Sequence, residues 1–155
     1  MAEKIIPMTQ KGIDNLVNEI QKLKASRKVI AENIHIAQAH GSSQNDAEYE
    51  HAKQEQSMLE GKIRDFEDII KCSVLIDEKQ AQHSERIIIG SGVHIENNGR
   101  KMHYKIVGTP EADVAQGLIS NESPIGSALL GHQVGETVDI KVPAGIQTIK
   151  IIEID

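Results

Sequence analysis

Between residues 13 and 74 the apolar positions recur at alternating spacings of three and four. One stripe runs Ile13, Leu16, Ile20, Leu23, Arg27, Ile30, Ile34 and Ala37. The second runs Tyr49, Ala52, Gln56, Leu59, Ile63, Phe66 and Ile70, mirrored about a polar break at 41–44. A heptad spacing puts one apolar seam on each helix, and two seams joined by a tight turn zip into an antiparallel coiled coil. Thr9 is placed to cap the first helix, with Met8 and Ile13 at the two positions of a hydrophobic staple and Pro7 holding the chain extended before it. Gly41 suits the left-handed residue that ends this helix, and about 30 residues give a shaft of roughly 45 Å. The second helix is predicted from Ser43 or Asn45 to about Ser73, since Ser43 with Asp46 and Asn45 with Glu48 both form capping boxes. Mirror symmetry sets Ala37 near Tyr49, Arg27 near Leu59 and Ile20 near Phe66. Arg27 and Gln56 then interrupt the seam and fix its register.

Beyond Asp77 the period shortens. Segments 87–89, 93–95, 102–107, 138–142 and 148–154 are β-branched runs separated by turn residues. Asn97-Asn98-Gly99 is predicted to be a hairpin turn, because Asn and Gly tolerate positive φ. Ser123, Pro124 and Gly131 bracket one short helix over 124–130. The prediction is an α+β protein with two domains. Residues 1–78 form the helical hairpin with its tip near 41–46, residues 80–155 form an antiparallel sheet with a helix against it, and 80–84 is the joint.

Composition narrows the possibilities. Aromatic residues make up 2% of the 155, and the net charge is −6. Few stacking platforms and an acidic balance disfavour autonomous binding to single strands or to duplex phosphates. A role near nucleic acid then requires docking on another protein. Cys72 is the single cysteine, so an internal disulfide is ruled out; a buried, inert thiol in a reducing compartment is expected. With no apolar leader and no long apolar run, a soluble cytoplasmic chain away from membranes is expected. Lys22, Lys24, Arg27 and Lys28 gather on the mid-shaft, either as a solvated helix face or as a basic patch facing RNA or the protein on which the chain docks. His35, His40 and His51 lack convincing ligand spacing, and exposed helix-end histidines explain them better. The sequence holds no nucleophilic triad, Gly-rich phosphate loop or Cys-x-x-Cys pair.

The string HGSSQNDAEYEHAKQEQSMLEGKI, residues 40–63, resembles the tip of the bacterial Gre transcript cleavage factors, in its GreA-like form. The resemblance extends to Ile6-Pro7-Met8-Thr9 with Gly12, Val107-Gly108, Glu111-Ala112-Asp113, Ile119-Ser120, Ser123-Pro124-Ile125, 128–131, Gly135 and Pro143-x-Gly145. It implies a coiled-coil domain followed by an FKBP-like domain without prolyl isomerase activity. It also implies docking at the rim of RNA polymerase's secondary channel, with the hairpin reaching toward the active site and, indirectly, the nascent RNA 3′ end. Members stimulate the polymerase's own cleavage of backtracked RNA, so the chain is expected to be an accessory factor and not an enzyme. A monomer is expected, with no cofactor of its own, since Mg²⁺ belongs to the polymerase.

The tip departs from the family pattern G-D-L-x-E-N-A-E-Y. Ser42 stands where the family has its catalytic Asp, Ser43 at the Leu, and Asn45 at the catalytic Glu, with Gln44 between them. Asp46 lies one position past the lost Glu, a rotation of about 100° on a helix. It serves either as a first-turn acid favourable to the helix dipole or as a metal contact beside Asn45 and Ser42. The expectation is a polymerase-binding elongation factor with weak or absent cleavage stimulation. A cleavage-deficient regulator that occludes the channel, and a coiled-coil adaptor or chaperone, stay open as alternatives.

Overall fold

The computed structural model describes residues 4–39 and 46–155, and the chain divides into two compact units. One unit is Ile13–Cys72; the other joins the N-terminal residues through Gly12 to Ser73–Asp155. The second unit therefore reclaims both ends of the segment 1–78 that hydrophobic period alone groups together. The cause is a short parallel pair, β1 (Ile6–Met8) with β2 (Ser73–Leu75), continued by Ile76 N–H donating to Met8 O at 2.8 Å.

In the helical unit, α1 (Gln10–Ala39) and α2 (Asp46–Cys72) carry the two stripes. Ile20, Ala37, Ala52, Leu59 and Ile63 are buried, while Leu16, Leu23, Ile30, Ile34, Tyr49, Phe66 and Ile70 are half-buried. Lys24 meets Glu67 at 3.0 Å and Arg27 meets Glu60 at 2.7 Å, so advancing along α1 retreats along α2. That is an antiparallel pair. Arg27 differs from its expected place in the seam: it is exposed, and its guanidinium crosses to the neighbouring helix at the seam's edge.

The second unit is built on five strands in the order β5-β4-β3-β7-β6: β3 (Gly92–Asn97), β4 (Arg100–Val107), β5 (Leu118–Ser120), β6 (Thr137–Val142) and β7 (Gly145–Ile154). All pairs are antiparallel except β4 with β5, which is parallel, so the sheet is mixed at one edge. Side-chain alternation sends Val93, Ile95, Val138, Ile140, Ile149 and Ile151 into one core, closed by Ile106, Ile119, Ile87 and Leu129. Leu129 comes from α4 (Pro124–Leu129), which Ser123 caps by accepting from Gly126 N–H at 3.0 Å, with Pro124 at the first position. Asn98 at φ 53° and Gly99 at φ 82° form the two-residue turn between β3 and β4, the conformation that this pair of residues favours.

Two expectations change. Segment 87–89 is no strand, because its backbone is committed elsewhere. Ile87 bonds the loop at 131–132 in both directions, and Ile88 N–H donates to Ser91 Oγ at 3.0 Å. The proposed joint 80–84 falls largely within a short helix, α3 (Glu78–Gln82), capped by the Asp77 carboxylate accepting from Gln80 N–H at 3.0 Å. Among the described residues no helix is long and apolar enough to cross a membrane.

Candidate functional site

The apex of the hairpin is where the sequence concentrates its chemistry. Ser42, Ser43, Gln44 and Asn45, with His40 and Gly41, the residue expected to end the first helix, lie outside the described residues. Their flanks are described: α1 runs to Ala39 and α2 begins at Asp46. Asp46 thus opens a long helix and Glu48 lies in its first turn, the end at which the helix dipole favours negative charge. Glu48 is exposed and lines a groove of about 320 Å³ with Asn33, Ile36, Ala37, His51 and Ala52.

Below the apex the basic cluster is largely neutralised. Lys22 pairs with Glu19 at 3.4 Å, Lys24 with Glu67 at 3.0 Å, and Arg27 makes a two-pronged contact to Glu60 at 2.7 and 2.8 Å. That contact raises the Arg27 guanidinium above its ordinary value. It also lowers the Glu60 carboxyl, with the hydrogen bond as the chief cause in both. Of the four, only Lys28 makes no ion pair among the described residues. Two of these pairs, Lys24–Glu67 and Arg27–Glu60, cross between the helices and help to hold their register. His51 meets Glu55 at 3.2 Å one turn along its own helix, the contact of a solvated helix face.

Several large apolar side chains of the shaft stand in solvent. Val29 at 62%, Met58 at 67% and Ile36 at 44% leave large apolar side chains in solvent. Val29 and Met58 border a groove of about 530 Å³ together with Leu23, Ile30 and Leu59. Exposed apolar surface of this kind suits a shaft that sits against another protein.

In the second unit the root of α1 is built with care. Thr9 Oγ1 accepts from Gly12 N–H at 3.0 Å, while Thr9 N–H donates to Glu111 at 2.8 Å and the Thr9 hydroxyl donates to the same carboxylate. Gly12 leaves the room: a Cβ there would lie 2.2 Å from the Glu111 carboxylate. Sequence reading anticipated the Thr9 cap but gave Glu111 no role, since its partner is 102 residues away.

A second constellation escaped the sequence altogether. His94 on β3 and His103 on β4 are direct cross-strand partners, and Asp155 follows β7 beside Gly92. Asp155 Oδ2 lies 3.3 Å from His94 Nε2, and Oδ1 lies 3.1 Å from His103 Nε2. The imidazole centroids are 4.4 Å apart. Partial burial pushes the Asp155 carboxyl up, but His103 and then His94 outweigh it and hold the group below the usual carboxylate range. The three residues are separated by nine and 52 positions, so only the strand register could reveal them.

The sequence model described as "Transcription elongation factor, N-terminal" matches residues 6–74, and the one described as "Transcription elongation factor, GreA/GreB, C-term" matches 81–155. The transcription elongation factor GreA of Listeria welshimeri is 42% identical over 155 residues, covering 98% of this chain and 96% of its own. GreA of Lactococcus lactis subsp. cremoris is 38% identical over 156 residues, with 99% of each chain covered. Among solved structures, the GreA factor homolog Gfh1 of Thermus thermophilus is 31% identical, covers 98% of this chain and 99% of its own, and superposes with a TM-score of 0.42.

Proposed function

Because the chain belongs to the GreA/GreB family of transcription elongation factors, matched by family models over both 6–74 and 81–155, we propose that RNA polymerase is its partner. In this reading the helical hairpin enters the polymerase's secondary channel and carries residues 42–46 toward the catalytic centre. The observation that carries it is the antiparallel hairpin itself. Helices of 30 and 27 residues correspond to shafts of roughly 45 and 40 Å, long enough to carry a tip well away from the helices' base. Exposed Val29, Ile36 and Met58 suit a shaft enclosed by protein walls. The chain acts as an accessory factor, and the hydrolytic chemistry is the polymerase's.

The tip sets the strength of the effect. Phosphodiester hydrolysis in a two-metal site is helped by anionic oxygens that hold a weakly bound Mg²⁺ and orient the attacking water. Ser42 and Asn45 offer only neutral oxygens, which a hard cation binds poorly, and Asp46 stands one position further along the chain than the family's Glu. Cleavage of backtracked RNA is therefore stimulated weakly, and occupancy of the channel is the larger part of what the factor does.

A stalled elongation complex with labelled RNA tests both parts. The native chain is expected to bind the polymerase, to compete with another secondary-channel factor, and to release 3′ fragments slowly. Replacing Ser42→Asp together with Asn45→Glu is expected to raise cleavage by about 10²-fold. Rapid fragment release by the native chain at low concentration would overturn the weak-cleavage reading. Failure to bind or compete would overturn the whole proposal in favour of an adaptor or chaperone role.

A further inference from the structure

We infer that His94, His103 and Asp155 form a binding site for a zinc-class divalent cation on the outer face of the sheet, remote in sequence from the hairpin tip and independent of its chemistry. Strand register brings the three side chains to one face. Val93 and Ile95 face the core, so His94 between them faces outward, and its direct partner His103 shares that face. Asp155 exchanges both backbone hydrogen bonds with Gly92, at 2.9 and 2.7 Å, which puts its side chain on the same face. A bulge in the β3–β7 pairing at His94/Ile95 adjusts the two strands at this point. Bulges re-aim side chains in this way, often beside functional sites.

The donor set and its spacing suit a borderline metal ion. Two imidazole nitrogens and a carboxylate oxygen lie within 4.8 Å of one another. A tetrahedral zinc with arms of about 2.0–2.1 Å needs neighbouring ligand atoms about 3.3–3.4 Å apart. His103 Nε2 lies 3.1 Å from one Asp155 oxygen and His94 Nε2 lies 3.3 Å from the other, each close to that edge length, so a small turn of the carboxylate brings one oxygen to both imidazoles. Three protein ligands leave a fourth position open for water, as in non-structural zinc sites. His103 and Asp155 line a cleft of about 410 Å³ with Glu78, Gln82, Gly90 and Lys105, which gives that fourth ligand room. Imidazole donors disfavour Mg²⁺ and Ca²⁺, so this site does not duplicate the polymerase's metal.

Gly92 provides a further argument. A Cβ at this position would lie 2.1 Å from Asp155 Oδ1 and 3.0 Å from His103 Nε2. The missing side chain keeps open the space in which these two ligand atoms approach each other. The bound ion would add a side-chain clamp where the end of β7 already pairs with β3 through the backbone of Gly92 and Asp155.

The test uses the full chain with Zn²⁺ for calorimetry and thermal melting, and Co²⁺ as a spectroscopic stand-in. A single Co²⁺ with intense d–d absorption is expected, together with a melting temperature that rises with Zn²⁺ concentration. His94→Gln and His103→Gln should each weaken binding by about 100-fold or more, given that even outer partners of a ligand are worth 10–100-fold. The control His35→Gln/His51→Gln should bind as the native chain does. A purely structural imidazole–carboxylate cluster would leave the native chain blind to both ions, and that result overturns the proposal. So does binding that survives His94→Gln/His103→Gln while circular dichroism shows that variant folded.

Discussion

The two units bury their apolar residues in different ways, and the contrast explains where chemistry can sit in each. In the sheet unit, Val93, Ile95, Ile106, Leu129, Ile149 and Ile151 are all fully enclosed, packed from several strands and α4. In the hairpin, a single line of side chains is buried, Ile20 and Leu59 keep 7% exposure, and cross-helix ion pairs edge the seam. A closed core fixes side chains from distant parts of the sequence relative to one another, as His94, His103 and Asp155 show. A two-helix seam fixes little beyond length, direction and register. It serves to carry what lies at its end.

The contrast can be broken most strongly at the core. Ile95→Ala is expected to cost about 2–5 kcal/mol, because a multi-strand core cannot collapse around the cavity. Ile20→Ala, at a seam open to solvent, should fall at or below the low end of that range. Chemical denaturation followed by amide exchange in each unit checks both, and equal losses would contradict the distinction. Next in size is Thr9→Ala, which removes the cap of α1 and the hydroxyl contact to Glu111. A loss of about 1–2 kcal/mol is expected, again by denaturation.

The smallest effect should come from the ion pair. Arg27 and Glu60 are both solvated, so Arg27→Ala is expected to loosen the hairpin only slightly, and not at all in high salt. Acid probes the same contact. The Glu60 carboxyl is held below its ordinary 4.5, chiefly by the Arg27 hydrogen bond. The contribution to hairpin stability is therefore complete above 4.5 and fades as pH falls through the lowered folded value. Helicity measured over this acid range should fall less steeply in Arg27→Ala than in the native chain. A steeper fall would show that other carboxylates control the hairpin.

These features were legible in the sequence to different degrees. Local chemistry was read well: Thr9, Ser123 with Pro124, and Asn98-Gly99 each specify their own turn or cap by direct backbone contact. The heptad spacing gave both helices. Elements that depend on distant partners were not visible. Strand β1 is three residues long and exists by pairing with β2, and β5 pairs in parallel with β4 through Lys105, Ile106 and Val107. The apolar run 87–89 looked like a strand because period and composition do not reveal that a loop at 131–132 takes its hydrogen bonds. Glu111 and the His94–His103–Asp155 cluster were missed for the same reason. The candidate tip was found through the family resemblance, and the loss of its two acids was visible residue by residue.

The most direct measurement places a probe at the hairpin's end. Asn45→Cys in a Cys72→Ser background leaves one thiol for a photocrosslinker, since Cys72 is the single native cysteine. In an assembled backtracked elongation complex, crosslinks are expected to the RNA 3′ end and to polymerase residues around the catalytic metal. Crosslinks confined to the polymerase exterior, with the factor demonstrably bound, would contradict the account.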